Sequence, residues 1–141
     1  MRFDPNVWGP HYWFMLHTIA LSFPENPTQV VKKKYYQFFN DFALFIPETK
    51  SSKLYSDLIE KYPVNPYLDT KMNLFKWTHF IHNHINSILG KSQVSYYDAL
   101  EMYYDKYKPK ETRENREKRE RLLWISAIIA LVALGVWMGQ K

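Results

Sequence analysis

The stretch Asp69–Gly90, DTKMNLFKWTHFIHNHINSILG, decides the fold. Leu74, Phe75, Trp77, Thr78, Ile81, Ile85, Ile88 and Leu89 recur at intervals of three and four, which is the spacing of one helical face. Asp69 or Thr70 can cap the start of this helix, and Gly90 stands where a left-handed residue ends one. A helix with so wide an apolar face needs other helices to cover it. The flanking sequence supplies them. Trp8 to Phe23 places Trp13, Leu16, His17, Ala20 and Leu21 at helical spacing before PENP stops the run. Thr28 opens a second helix with a stripe of Val31, Tyr35, Phe38, Phe39, Phe42 and Phe45, and Lys32 to Lys34 lie on its other side. Ser51 to Lys61 forms a shorter third, and Ser95 with Asp98 resembles a capping box that starts a fifth through Tyr104. No segment alternates with a period of two, so the class is all-α, a small helical bundle with short connections.

Beyond the bundle the composition changes. Leu122 to Met138 reads LLWISAIIALVALGVWM, without a charge and with nine Leu, Ile or Val. As a helix it spans about 25 Å, and insertion into a bilayer is favourable by on the order of 4 kcal/mol. Trp124 and Trp137 stand near its two ends, where such rings prefer the interfaces. The expected organisation is therefore a helical domain over 1–107, a charged helical stalk over 108–121 and a transmembrane anchor over 122–138. Pairs Glu114 with Lys118 and Glu117 with Arg121 would stiffen the stalk.

The formal charge of +5 belongs to the tail: residues 1–107 carry eleven Lys or Arg against ten Asp or Glu, and 108–141 carry eight against four. A nucleic-acid partner thereby loses its support. Seven of those basic residues precede the apolar span and only Lys141 follows it. The positive-inside bias then keeps the N-terminal domain on the cytosolic side of a single-pass, tail-anchored protein. The chain has no cysteine, so it offers no disulfide, no thiolate nucleophile and no thiolate metal ligand.

His79, His82, Asn83 and Asn86 converge on one side of the Asp69–Gly90 helix. Three readings stay open: a metal site using His79 and His82, which lacks carboxylate or thiolate partners at helical spacing; a hydrogen-bonded structural network; or a ligand face. For the last, Trp13, His17 and Trp77 would give stacking surfaces and Lys91 a charge in reach of phosphate. Glu25, Glu48 and Glu60 read as isolated, solvated carboxylates.

The blocks WGPHYWFMLHTIALSFPENPT (Trp8 to Thr28) and FKWTHFIHNHINSILGK (Phe75 to Lys91) resemble the two signature blocks of the Erv/ALR family of FAD-linked sulfhydryl oxidases, W-G-x-x-x-W-x-x-L-H and H-N-x-V-N-x-x-L-G-K. The resemblance covers roughly residues 7–106. It implies a four-helix bundle with a fifth short helix, a homodimer, and FAD at the helix ends. Residue by residue it assigns Gly9 to close approach, Trp13 and His17 to the flavin, and His82, Asn83 and Asn86 to the adenosine side. Ile85 stands in the place of the usual Val, and Lys91 matches a basic contact. The compactness of the chain is similar to members from large DNA viruses.

The family's Cys-x-x-Cys follows a proline. Here Pro47 is followed by Glu48, Thr49, Lys50 and Ser51, so the two thiols are replaced by Glu48 and Ser51. Neither side chain can cycle between dithiol and disulfide. The primary expectation is therefore a degenerate, non-catalytic member: a membrane-tethered scaffold or partner-binding protein, such as a component between a viral capsid and its inner membrane. The alternatives are a working FAD-linked sulfhydryl oxidase and an FAD-binding protein without thiol chemistry.

Overall fold

The computed structural model describes residues 3–139 and is helical, with no strand among them. Its helices are α1 (Pro5–Leu21), α2 (Gln29–Asp41), α3 (Thr49–Lys61), α4 (Lys71–Ile88), α5 (Tyr96–Asp105) and α6 (Lys110–Gly139), with single 3-10 turns at Phe42–Phe45 and Asn65–Tyr67. The first five form the four-helix bundle with a short fifth helix that the family resemblance implies. The last carries the apolar span.

Local chemistry sets the helix ends. Asp4 caps α1 by accepting from Asn6 N, and Pro5 occupies the first turn, where a missing N–H costs nothing. The helix thus begins ahead of Trp8 and continues through Pro10, which can make no bond to the Asn6 carbonyl. Thr28 and Thr70 cap α2 and α4, as their positions suggest. Gly90 has φ +67°, and around it Gly90 N donates to Ser87 O and Lys91 N to Asn86 O, the paired bonds of a left-handed helix stop. That stop turns Lys91 back beside Asn86. At the start of α5 Asp98 N donates to Ser95 Oγ, and the Ser95 hydroxyl donates to Asp98 in turn.

The core joins α1 (Leu16, Ala20), α2 and its 3-10 turn (Phe39, Phe42), α3 (Tyr55, Leu58, Ile59) and α4 (Leu74, Phe75, Trp77, Ile81). Each fully buried large side chain contributes about 1.5–3 kcal/mol, so this cluster outweighs the helices' own propensities. α1 and α4 run antiparallel, since Asn6 meets Lys91, Trp13 meets His82 and His17 meets Thr78. Two sequence expectations are corrected. Phe45 does not join the α2 stripe: the chain tightens into a 3-10 turn after Asp41 and leaves Phe45 exposed. Trp77 is no ligand surface, because it is buried against Phe39 with its Nε1–H donating to Tyr62 O.

One compact unit ends at Tyr103 and a second begins at Tyr104. In the second, the charged and apolar segments form one uninterrupted helix, and its stretch Thr112–Met138 is long and apolar enough to cross a membrane. Among the described residues Lys110 pairs with Glu114 and Arg116 with Glu120, with Arg116 also reaching Asp105, in place of the pairs expected from the sequence. Lys141 lies outside the described residues.

Candidate functional site

A cavity of about 300 Å³ opens between α1, α4 and the start of α3. Trp8, Gly9, Tyr12 and Trp13 come from α1, Phe42 and Ile46 from the segment after α2, Ser51, Leu54 and Tyr55 from α3, and His82, Ile85 and Asn86 from α4, with Lys91 at the rim. Aromatic and aliphatic surface dominates, and a few polar groups gather at the α4 end. That composition is typical of a small-molecule site.

Of the residues singled out from the sequence, Gly9, Trp13, His82, Ile85, Asn86 and Lys91 line this cavity. His17 and Asn83 do not. His17 lies behind His82: its Nδ1 is 3.1 Å from Thr78 Oγ1 and its Nε2 3.3 Å from His82 Nδ1. Asn83 is committed to the loop after α4, where its amide donates to Val94 O at 2.7 Å and accepts from Val94 N at 3.2 Å. His79 joins it, with Nε2 2.9 Å from the same carbonyl. The polar stripe of α4 therefore divides: His79 and Asn83 form the structural network, and His82 and Asn86 face the cavity. Among the described residues no cluster of three or more metal-ligating side chains exists.

Electrostatics follow from burial. Desolvation, reinforced by the neighbouring His82 and His79, lowers the His17 pKa from 6.5 to about 3. Desolvation, then His79 and Lys91, lowers that of His82 to about 4. Both imidazoles are neutral at neutral pH. The His82 ring stacks on Trp13 with centroids 4.2 Å apart and planes 8° from parallel. Lys91 Nζ donates to Asn6 Oδ1 at 3.3 Å, which holds the ammonium at the cavity rim.

Glu48 caps α3 together with Ser51 and is not the isolated, solvated carboxylate expected from the sequence. The Glu48 carboxylate accepts from Lys50 N and Ser51 N at the start of α3, and the Ser51 hydroxyl donates to it at 2.6 Å. That hydroxyl holds the Glu48 carboxyl below its usual range. Ser51 also lines the cavity.

Sequence reasoning passed over Trp8 as a functional residue. Its Nε1–H is buried and has no hydrogen-bond partner among the described residues, a state that costs about 1–3 kcal/mol. Its place in a cavity wall points to a ligand acceptor. Its position one residue before a glycine in a helix was the available signal. A Cβ built at Gly9 would meet no protein atom, so packing within the chain does not require glycine there. Tyr12 was also unremarked, and its hydroxyl donates to Phe45 O at 3.0 Å, tying the 3-10 turn to α1 beside the cavity.

The family model for the Erv1/Alr family matches residues 10–111. A probable FAD-linked sulfhydryl oxidase of Acanthamoeba polyphaga mimivirus is 38% identical over 109 residues, which span 77% of this chain and 76% of that one. An FAD-linked sulfhydryl oxidase of African swine fever virus is 28% identical, over 68% of this chain and 79% of that one. Among solved structures, the FAD binding domain of Erv1 from Saccharomyces cerevisiae superposes with a TM-score of 0.62 at 28% identity, covering 67% of this chain and 88% of that one. The yeast Erv1 core gives a TM-score of 0.64 at 25% identity, with coverages of 77% and 86%. The cavity between α1, α3 and α4 thus sits in a helical frame shared with these proteins, and the chain belongs to the Erv1/Alr family.

Proposed function

We propose that this chain is an FAD-binding protein of the Erv1/Alr family, held to a membrane by residues 122–138, and that any thiol oxidation at its flavin draws both electrons from thiols of the substrate. The observation that carries the flavin reading is the cavity lined by Trp8, whose buried Nε1–H has no hydrogen-bond partner among the described residues. The groups present suit a flavin nucleotide. Trp8, Tyr12, Trp13, Phe42 and Tyr55 offer aromatic surface, His82 and Asn86 offer polar edges, and Lys91 supplies the positive charge a phosphate calls for. A volume of about 300 Å³ is at the low end for small-molecule sites and suits one flat fused ring system.

A bound flavin supplies a two-electron acceptor. The chain's own residues then bind it, orient it and exclude water from one side. They supply no dithiol, since the sequence contains no cysteine and the Glu48–Ser51 pair is held together by a hydrogen bond. The names of the relatives favour sulfhydryl oxidation as the reaction, and the missing thiols confine it to a substrate that brings its own. The non-catalytic scaffold reading keeps the support of the cysteine count alone.

The test is the visible absorption spectrum of the detergent-purified chain, with FAD released by heating and quantified. About one FAD per chain is expected, and anaerobic addition of dithiothreitol should bleach it in proportion to thiol concentration. Absence of flavin after incubation with excess FAD contradicts the proposal. Retention in the membrane fraction after alkaline extraction checks the anchor, and release overturns it.

A further inference from the structure

Among the described residues Thr78 is the one buried polar residue of the core, at 1% exposure, and it stands at the inner end of a chain of side chains that leads to the cavity. Its Oγ1 donates to Phe75 O at 2.9 Å and lies 3.1 Å from His17 Nδ1. His17 Nε2 lies 3.3 Å from His82 Nδ1, and His82 lines the cavity. His82 Nε2 makes no hydrogen bond among the described residues.

Two proton arrangements fit these distances. In the first, the Thr78 hydroxyl donates to Phe75 O, His17 Nδ1–H donates to Thr78, and His82 Nδ1–H donates to His17 Nε2. All three bonds form, and His82 Nε2 is left with a lone pair. In the second, the Thr78 hydroxyl turns to His17 Nδ1, His17 Nε2–H donates to His82 Nδ1, and His82 Nε2–H is left as a donor. The bond to Phe75 O is then lost. A hydroxyl has one proton and a neutral imidazole one N–H, so no arrangement does better than the first. It keeps one more hydrogen bond, worth about 1 kcal/mol, and leaves open a lone pair rather than a partnerless N–H, the less costly of the two.

We propose that Thr78 is a positioning residue which, through His17, fixes His82 as the Nδ1–H tautomer, so that Nε2 accepts a hydrogen bond from the ligand and the ligand group seated there is a hydroxyl or an amine. A carbonyl or phosphate oxygen at that point would face a lone pair and be rejected. Trp8 imposes the opposite demand nearby, because its Nε1–H requires an acceptor. The neutrality of both imidazoles supports this arrangement, since a protonated ring would donate from both nitrogens. The naming of the ligand as a flavin nucleotide rests on the proposed function. The tautomer assignment does not.

The experiment is a two-bond proton–nitrogen correlation spectrum of the full chain, labelled with nitrogen-15 histidine and purified in detergent. Wild type should show His82 with its proton on Nδ1 and a bare Nε2. Thr78→Val preserves shape but removes the acceptor, which leaves the buried His17 Nδ1–H without a partner and drives the pair to the reverse tautomer. Thr78→Ser should restore the wild-type pattern. FAD binding should weaken roughly tenfold in Thr78→Val, the equivalent of about 1.4 kcal/mol, and recover in Thr78→Ser. A proton on His82 Nε2 in wild type overturns the proposal, and this result needs no variant to fold. An unchanged His82 tautomer in Thr78→Val overturns it as well. Absence of FAD binding alongside the expected wild-type spectrum supports the tautomer assignment and counts against the flavin reading.

Discussion

Asn83 and Asn86 lie within one turn of each other on α4 and are put to opposite uses. The Asn83 amide satisfies both the N–H and the C=O of Val94 and so pins the loop that leads to α5. The Asn86 amide makes no hydrogen bond to the protein among the described residues and lines the cavity. The histidines divide the same way, His79 toward Val94 and His82 toward the cavity. A rotation of about 60° around the helix axis separates the two sectors, and what each sector faces decides whether a polar side chain stabilises the fold or remains available to a ligand.

The sharpest way to break this division is acid. His17 and His82 titrate near 3 and near 4 in the folded protein against 6.5 unfolded. Below pH 6.5 the unfolded chain therefore binds more protons, and the stability present above that pH is lost progressively as pH falls toward the folded values. Each histidine contributes up to about 1.4 kcal/mol per pH unit, so the pair should remove on the order of 4 kcal/mol between pH 7 and pH 5. Thermal unfolding across that range measures it; a midpoint that does not move would show that neither ring is held neutral.

Asn83→Ala should come next, since it strands the Val94 N–H, while His79 still reaches the Val94 carbonyl, at a loss of about 1–2 kcal/mol. That corresponds to an unfolding midpoint lower by roughly 5–10 °C. Asn86→Ala should do the reverse, with stability in the absence of FAD unchanged within about 0.5 kcal/mol and FAD affinity down roughly tenfold. If the two variants behave alike, the division of α4 is wrong. Trp8→Phe is the smallest perturbation. It keeps most of the ring surface and removes an unpaired donor, so the FAD-free protein should be as stable as wild type or slightly more so, while FAD binds more weakly. Calorimetry of both forms checks this, and a destabilised FAD-free variant would mean that Trp8 Nε1 already has a partner.

Much of the bundle was legible because its signals are local. Thr28, Thr70 and Gly90 punctuate helices through hydrogen bonds within a few residues of themselves, and the stripe on α4 needs only the helical period. The misread positions depend on contacts distant in sequence. Trp77 looks as much like a stacking platform as Trp13 until Phe39 and Tyr62 close around it. Glu48 is the exception, since its partners Lys50 and Ser51 are only two and three residues away; what the sequence leaves open there is that α3 begins at Thr49. For the site, the apolar period placed His82 and Asn86 on a helix but could not say which sector meets α1. Trp8 was hidden for a related reason: an unsatisfied N–H is visible only once every possible partner has a position.

The most direct test of a flavin site between α1, α3 and α4 is titration of the FAD-free full chain with FAD, followed by tryptophan fluorescence. Trp8 and Trp13 both line the cavity, so saturable quenching that ends at one FAD per chain is expected. Fluorescence that falls only in proportion to added FAD, with no saturation, would contradict the account.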